Sequence, residues 1–309
     1  FIVVKALNVI ILNESGVMVP PGFIINTKSY RRFLEESEYS DQLMKLLSKQ
    51  FRLKEILQHS LKIRDLILKS KIPKKIIDEI KVAFDKIKEK IGRKISFAVR
   101  SSATIEDTNM FSFAGRADTY LYNNNFHDII MSLKKCWISL YSPRSMLYIL
   151  QMQKKGLNIS LSDIHMAVIV QQMVNSQISG VLFTINVVNN EKNQILINST
   201  WGLGETIATN SVIPDISILS KNKFKIIKRI VGKKEKISIQ NPEGVGTTIF
   251  ETDPQIIKIF TLNKKQLRYL HNLGLKIENA FQCPQDIEWA IENDVLYTLQ
   301  TRPITTLKK

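Results

Sequence analysis

Val99-Arg-Ser-Ser-Ala-Thr-Ile-Glu-Asp107, running on through Ser112-Phe-Ala-Gly-Arg-Ala-Asp-Thr-Tyr120, is the stretch around which the chain can be read. Ile95, Phe97 and Val99 alternate with Ser96, Ala98 and Arg100, the period of a strand. The strand is expected to run into a hydroxyl-rich loop, Ser101-Ser-Ala-Thr104, whose backbone amides and hydroxyls suit an anion. Arg100 adds a planar, permanently charged fork matched to phosphate oxygens. Glu106 and Asp107 follow, and then Gly115, where a backbone can approach a ligand closely. The same residues also suit a plain strand, turn and strand with Arg100 in an ordinary ion pair. On pattern alone both readings stand.

Working outward, 309 residues of ordinary globular composition suffice for one large domain or two lobes with real cores. Net charge is +16 and unevenly spread: residues 45–95 hold 16 Lys and Arg against 6 Asp and Glu, and residues 221–237 hold 8 against 1. Aromatics are not interleaved with these lysines, so a solvated basic face is expected rather than a nucleic-acid surface. Cys136 and Cys283 fit no metal or redox spacing, which points to a reducing, cytoplasmic setting. The apolar start Phe1-Ile-Val-Val lacks the flanks of a signal peptide. Residues 166–190 carry no charge, but Gln171, Gln172, Asn175, Ser176, Gln177 and Asn186 interrupt them. Two buried strands and no membrane segment are expected there.

Val19-Pro-Pro-Gly-Phe-Ile-Ile25 reads as a turn into a short strand, and Thr27 as the cap of a helix through Glu36. Residues 41–70 and 73–91 have helical spacing, with Pro73 and Gly92 as start and stop signals. Residues 126–154 read as two helices broken near Ser142-Pro143. Met166 to Val174 reads as a buried strand ending in Gln171-Gln-Met173. Its amides and thioether can bracket an adenine, with backbone groups on the ring edge. Further strands are expected at 180–184 and 194–198, the latter leading into Trp201-Gly-Leu-Gly-Glu205. Residues 216–250 read as Lys-rich β-ribbon turning at Gly244-Val-Gly246, and Asn263 as the cap of a helix from Lys264 to Phe281.

Near the end of the chain, Asp286-Ile-Glu-Trp-Ala-Ile291 and Val295-Leu-Tyr-Thr-Leu-Gln-Thr-Arg302 alternate as two strands joined at Glu292-Asn-Asp294. Folding there sets Glu288 roughly opposite Gln300 on one face, with Arg302 on the same face. A carboxylate, an amide oxygen and a guanidinium converge. Mg²⁺ commonly takes one or two such oxygens and fills its shell with phosphate and water. A polar solvent face on a hairpin fits the spacing equally well.

These segments, with Val19-Pro-Pro-Gly-Phe23, Ser179-Gly-Val-Leu-Phe-Thr184 and Leu299-Gln-Thr-Arg-Pro303, closely resemble the nucleotide-binding domain of the phosphoenolpyruvate-utilising dikinases. The family comprises phosphoenolpyruvate synthase, pyruvate phosphate dikinase and rifampicin phosphotransferase, and the resemblance covers nearly the whole chain. It implies an α+β, two-lobed ATP-grasp fold with a helical cap on the N-terminal lobe. The lobes would be residues 1–172 and 173–309, clamping ATP between them. The resemblance assigns Glu288 and Gln300 to Mg²⁺. Arg302, Arg100 and Lys5 fall on phosphates as the catalytic cations. Gly115, Thr119, Gln171, Gln172 and Met173 contact the nucleotide. The two glycines that usually precede the family's lysine are Val3 and Val4 here, which makes the approach of Lys5 less flexible.

The implied chemistry passes the β-phosphate of ATP to a histidine on a swivelling domain, leaving AMP and phosphate. None of His59, His127, His165 and His271 follows a Ser or Thr, and no Gly-Gly pair exists. The nucleotide-binding part alone is therefore expected here, with the phosphohistidine and acceptor-binding domains as partners. The ATP-binding domain of rifampicin phosphotransferase and a catalytically incomplete regulatory module are the alternatives.

Overall fold

The computed structural model describes residues 4–92, 95–104 and 119–305. It is a mixed α+β chain in two compact units, one of residues 1–6 and 21–173, the other of residues 7–20 and 174–309. Residues 7–20 thus group with the second unit, whereas the expected N-terminal lobe included them. The division passes through α1 (Val4–Glu14), whose first turn carries Lys5.

The first unit continues with β1 (Gly22–Ile25), α2 (Thr27–Glu36), α3 (Ser40–Ser48), α4 (Ile56–Lys69), α5 (Lys74–Ile91), β2 (Phe97–Ala103), β3 (Thr119–Asn123), α6 (Phe126–Ser139), α7 (Pro143–Lys154) and β4 (Met166–Gln172). Its antiparallel sheet has the order β1-β4-β2-β3. Phe97, Val99, Val168 and Val170 face the helices, in one core with Phe33, Trp137 and Ile63. Arg100 and Gln171 stand on alternate positions, so they point to the other face.

Several local expectations shift. Ser101-Ser-Ala-Thr104 is not an open anion-binding loop: Ser101, Ser102 and Ala103 pair with Val168, Ala167 and Met166, and the Thr104 amide donates to the His165 carbonyl at 2.9 Å. The Thr104 amide, and those of the alternate β2 residues that face β4, are spent on the ladder. Asn26, not Thr27, caps α2: it is the last extended residue before the helix, and its side-chain oxygen accepts from the Ser29 amide at 3.1 Å. The helical run 41–70 breaks after Ser48 because Phe51 turns inward. It stacks on His59 with ring centroids 5.3 Å apart, and His59 Nε2 lies 2.9 Å from the Leu46 carbonyl.

The second unit holds β5 (Ile178–Phe183), β6 (Gln194–Trp201), α8 (Glu205–Ala208), β7 (Asp215–Ser220), β8 (Lys225–Ile230), β9 (Lys236–Gln240), β10 (Thr247–Glu251), α9 (Pro254–Ile257), α10 (Lys264–Phe281), β11 (Gln285–Glu292) and β12 (Val295–Pro303). Six strands form one antiparallel sheet ordered β12-β11-β5-β6-β7-β8, and only β9 and β10 form a separate ribbon. The expected ribbon over 216–250 is therefore half sheet and half ribbon. One sheet face is buried by α10, whose Leu267, Leu270 and Ile277 pack with Leu182, Ile197, Ile287 and Trp289. A Cβ on Gly180 would sit 2.0 Å from the Asn198 carbonyl and 2.5 Å from the Trp289 ring, so only glycine lets that ring lie against the sheet.

The charge pattern hides one buried pair. Lys234, in the basic run read as solvated, is fully buried and donates to Asp215 Oδ1 and, at 3.0 Å, to the Gly232 carbonyl. Asp215 also accepts from the Gly232 amide at 2.8 Å and the Thr261 amide at 2.7 Å. The pair ties the end of β8 and the loop before α10 to β7. Asp215→Leu should destabilise by roughly 3–5 kcal/mol in urea unfolding, because it strands a buried ammonium. Adding Lys234→Met should recover much of that loss. A double variant as unstable as the sum of the two single losses would show that the charge is not what the single variant strands.

Candidate functional site

The turn between β11 and β12 has two residues, Asn293 and Asp294, with φ of 50° and 62°. Both lie in the left-handed region that a tight I′-type hairpin requires and that Asn and Asp tolerate. Glu292 pairs with Val295, and counting back from there would set Leu299 opposite Glu288. The register shifts by one between Glu288 and Trp289, so β12 carries an extra residue and Glu288 faces Gln300. Asp286 then faces Arg302.

Four polar side chains thereby share the face that α10 does not cover. Ile287 and Trp289 on β11 and Thr301 on β12 point the other way and are buried. Arg302 Nε donates to Asp286 Oδ2 at 2.9 Å, with Arg302 more exposed than Asp286. The base of the hairpin is fixed by buried Gln285, which accepts from Thr301 Oγ1 at 2.8 Å and whose amide donates to Thr184 Oγ1 at 2.9 Å. Asn8 of α1, also buried, donates to the Thr301 carbonyl at 2.8 Å.

Asp286 was not singled out as a site residue from the sequence. Its signal was available: it lies two residues before Glu288 on a strand of period 2, hence on the same face. Together Asp286, Glu288 and Gln300 offer two carboxylates and an amide oxygen beside a guanidinium, a donor set that suits a hard divalent cation bridged to phosphate. Among the described residues no cluster of three or more His, Cys, Asp or Glu forms a self-sufficient metal cage.

In the first unit, Arg100 pairs across the sheet with Thr119 on one side and Ile169 on the other. Gln171, two residues beyond Ile169, lies diagonally from Arg100 on the same face, at the about 7–8 Å typical of such neighbours. Arg100, Thr119 and Gln171 are thus collected on one sheet face. Gln172 alternates to the other side, and its amide donates to the Pro21 carbonyl at 2.8 Å. The Met173 amide donates to the Ser96 carbonyl at 2.9 Å. The backbone donors expected to pair with a base are therefore already used at these two positions, leaving their side chains and carbonyls. Lys5 sits in the first turn of α1. Gly115 lies outside the described residues.

Gly202, in Trp201-Gly-Leu-Gly-Glu205, has φ 71°, and a Cβ there would meet the Ser238 carbonyl at 2.5 Å. Its conformation is set by packing against β9, not by a need for space around a phosphate.

A family model described as the pyruvate phosphate dikinase AMP/ATP-binding domain matches residues 4–309. The chain is 35% identical to a probable phosphoenolpyruvate synthase of Pyrococcus horikoshii, over 99% of its own length and 42% of that protein. It is 36% identical to a probable phosphoenolpyruvate synthase of Archaeoglobus fulgidus, over 99% of its length and 40% of the relative. It is also 36% identical to the rifampicin phosphotransferase of Bacillus subtilis, over 94% of its length and 33% of that enzyme. The chain thus spans less than half of each of these relatives.

The bulge makes a testable prediction. Deleting Leu299 removes the extra residue and leaves Gln300 opposite Glu288 and Arg302 opposite Asp286 in an unbulged strand. The variant should therefore unfold in urea within about 1 kcal/mol of the parent. Unfolding at markedly lower urea would show that the hairpin needs the bulge itself and not only the register it sets.

Proposed function

The chain belongs to the family of the pyruvate phosphate dikinase AMP/ATP-binding domain, and from that premise we propose that it binds MgATP for a dikinase-type phosphoryl transfer. The two compact units are read as the lobes of an ATP-grasp fold. The observation that carries the reading is the cross-strand pairing of Glu288 with Gln300, next to Asp286 with Arg302 on the same open face.

In this reading Glu288 and Gln300 hold Mg²⁺, whose chemistry is to neutralise the triphosphate and fix its geometry. Arg302, oriented by Asp286, presents its terminal nitrogens to phosphate oxygens. Arg100 does the same from the first unit, with Thr119 beside it. Lys5 and Gly115 complete the phosphate contacts, and Gln171 and Met173 take the base, with Gln172 limited to its main-chain carbonyl. Catalysis is mostly positioning and charge neutralisation, as phosphoryl transfer generally requires.

The β-phosphate passes to a histidine, leaving AMP and inorganic phosphate. Three of the chain's four histidines support an acceptor located elsewhere, the exposed His127 of α6 being the other. His59 and His271 are buried, with Nε2 against main-chain carbonyls. His165 Nε2 is 3.2 Å from Arg31, and burial and that charge hold its pKa below the usual range. A phosphohistidine swivelling domain and an acceptor-binding domain would supply the rest of the reaction. The final acceptor is pyruvate in the phosphoenolpyruvate synthase reading. The match to a rifampicin phosphotransferase favours rifampicin as the second reading.

Titration calorimetry tests the reading on the chain itself. Glu288→Ala and Gln300→Ala should each weaken MgATP binding more than metal-free ATP binding, and equal losses would make the pair structural. Arg100→Lys should lower ATP affinity about ten- to a hundredfold, since a point charge cannot replace a two-bonded fork worth roughly 1.5–3 kcal/mol. Adenosine affinity should hardly move. Loss of adenosine binding together with a lower unfolding temperature would assign Arg100 to a structural ion pair.

A further inference from the structure

We infer that Asn198 is a further nucleotide contact, one that reads a ribose hydroxyl; the inference rests on the MgATP reading above. Its basis is a single row across the six-stranded sheet. Gln300 pairs with Glu288, Glu288 with Val181, and Val181 with Asn198. Directly paired residues share a face. Asn198 therefore stands on the same open face as Glu288 and Gln300, while its neighbours Ile197 and Ser199 on β6 are buried on the other. The side chain is half-buried, yet its Oδ1 is shielded from water and has no hydrogen-bond partner among the described residues. An acceptor left in that state is unfavourable. A ligand donor would satisfy it.

The donor can be identified by elimination. At neutral pH the phosphates of ATP carry no donor. Donors are available from the two ribose hydroxyls, the adenine amino group and water on the metal. Two strand spacings separate Asn198 from Glu288, about 10 Å, too far for the shell of a cation held at Glu288 and Gln300. The base is assigned to the first unit at Gln171 to Met173. The ribose hydroxyls remain. A neutral amide suits them, because it accepts from a hydroxyl without adding charge near the triphosphate.

The experiment measures discrimination rather than affinity alone. Calorimetric titration of the chain with the Mg²⁺ complexes of ATP, 2′-deoxy-ATP and 3′-deoxy-ATP should show at least one deoxynucleotide binding about five- to tenfold more weakly. Asn198→Leu, of similar size but without an acceptor, should bind all three alike. Asn198→Asp, which keeps the acceptor, should retain the discrimination even if overall affinity falls. Wild-type chain that binds ATP and both deoxynucleotides equally would overturn the inference, as would discrimination that survives in Asn198→Leu. Absence of any ATP binding by the wild-type chain would instead overturn the MgATP reading itself.

Discussion

A single extra residue in β12 decides which chemistry the second unit presents. Side chains in a strand alternate, so a shift of one residue sends every later side chain to the opposite face. The two-residue turn at Asn293 and Asp294 starts the hairpin in a register that would put Leu299 across from Glu288. The irregularity beside Glu288 changes that register before Gln300 and Arg302 are reached. The polar quartet therefore exists because a tight turn and a bulge act in series, each with a fixed effect on register.

The rest of the second unit keeps that arrangement in place. One sheet face is committed to α10 and an apolar core, which makes any slip of β11 expensive through Ile287 and Trp289. Gly180 lets the Trp289 ring settle against β5. Gln285 and Thr184 lock the end of β11 nearest the site. At the far side of the sheet, the buried Asp215–Lys234 pair gathers two loop segments, the one after β8 and the one before α10, onto β7. Such a pair contributes little net stability compared with apolar packing, but it penalises every arrangement that separates its partners.

Much of this was legible in the sequence, and the reasons for the gaps are local. Strong periodicity located the helices of 73–91 and 126–154, the uncharged strands of 166–190 and the last hairpin, because each pairs a clear pattern with a Gly, Pro or Asn stop. Ser101-Ser-Ala-Thr104 was misread as a loop because small hydroxyl residues look like turn formers. Here Ser101, Ser102 and Ala103 are buried strand residues opposite Val168, Ala167 and Met166, and only Thr104 lies in the turn. Lys234 was misread as solvated because charge runs carry no signal for the one member that meets a buried carboxylate 19 residues away. The bulge was invisible for a related reason. Leu296, Thr298 and Thr301 all face inward, so the alternation breaks without a change in polarity. The roles of Glu288, Gln300 and Arg302 came from resemblance, since their spacing alone fits a plain solvent face.

The central claim is that Glu288 and Gln300 hold the metal of a bound nucleotide, and paramagnetic broadening tests it most directly. The ¹⁵N-labelled chain would be titrated with MnATP, with MgATP as the diamagnetic reference. The account predicts that the Gln300 side-chain amide resonance is lost with Mn²⁺ and kept with Mg²⁺. A Gln300 amide that stays sharp while the chain is saturated with MnATP would contradict it.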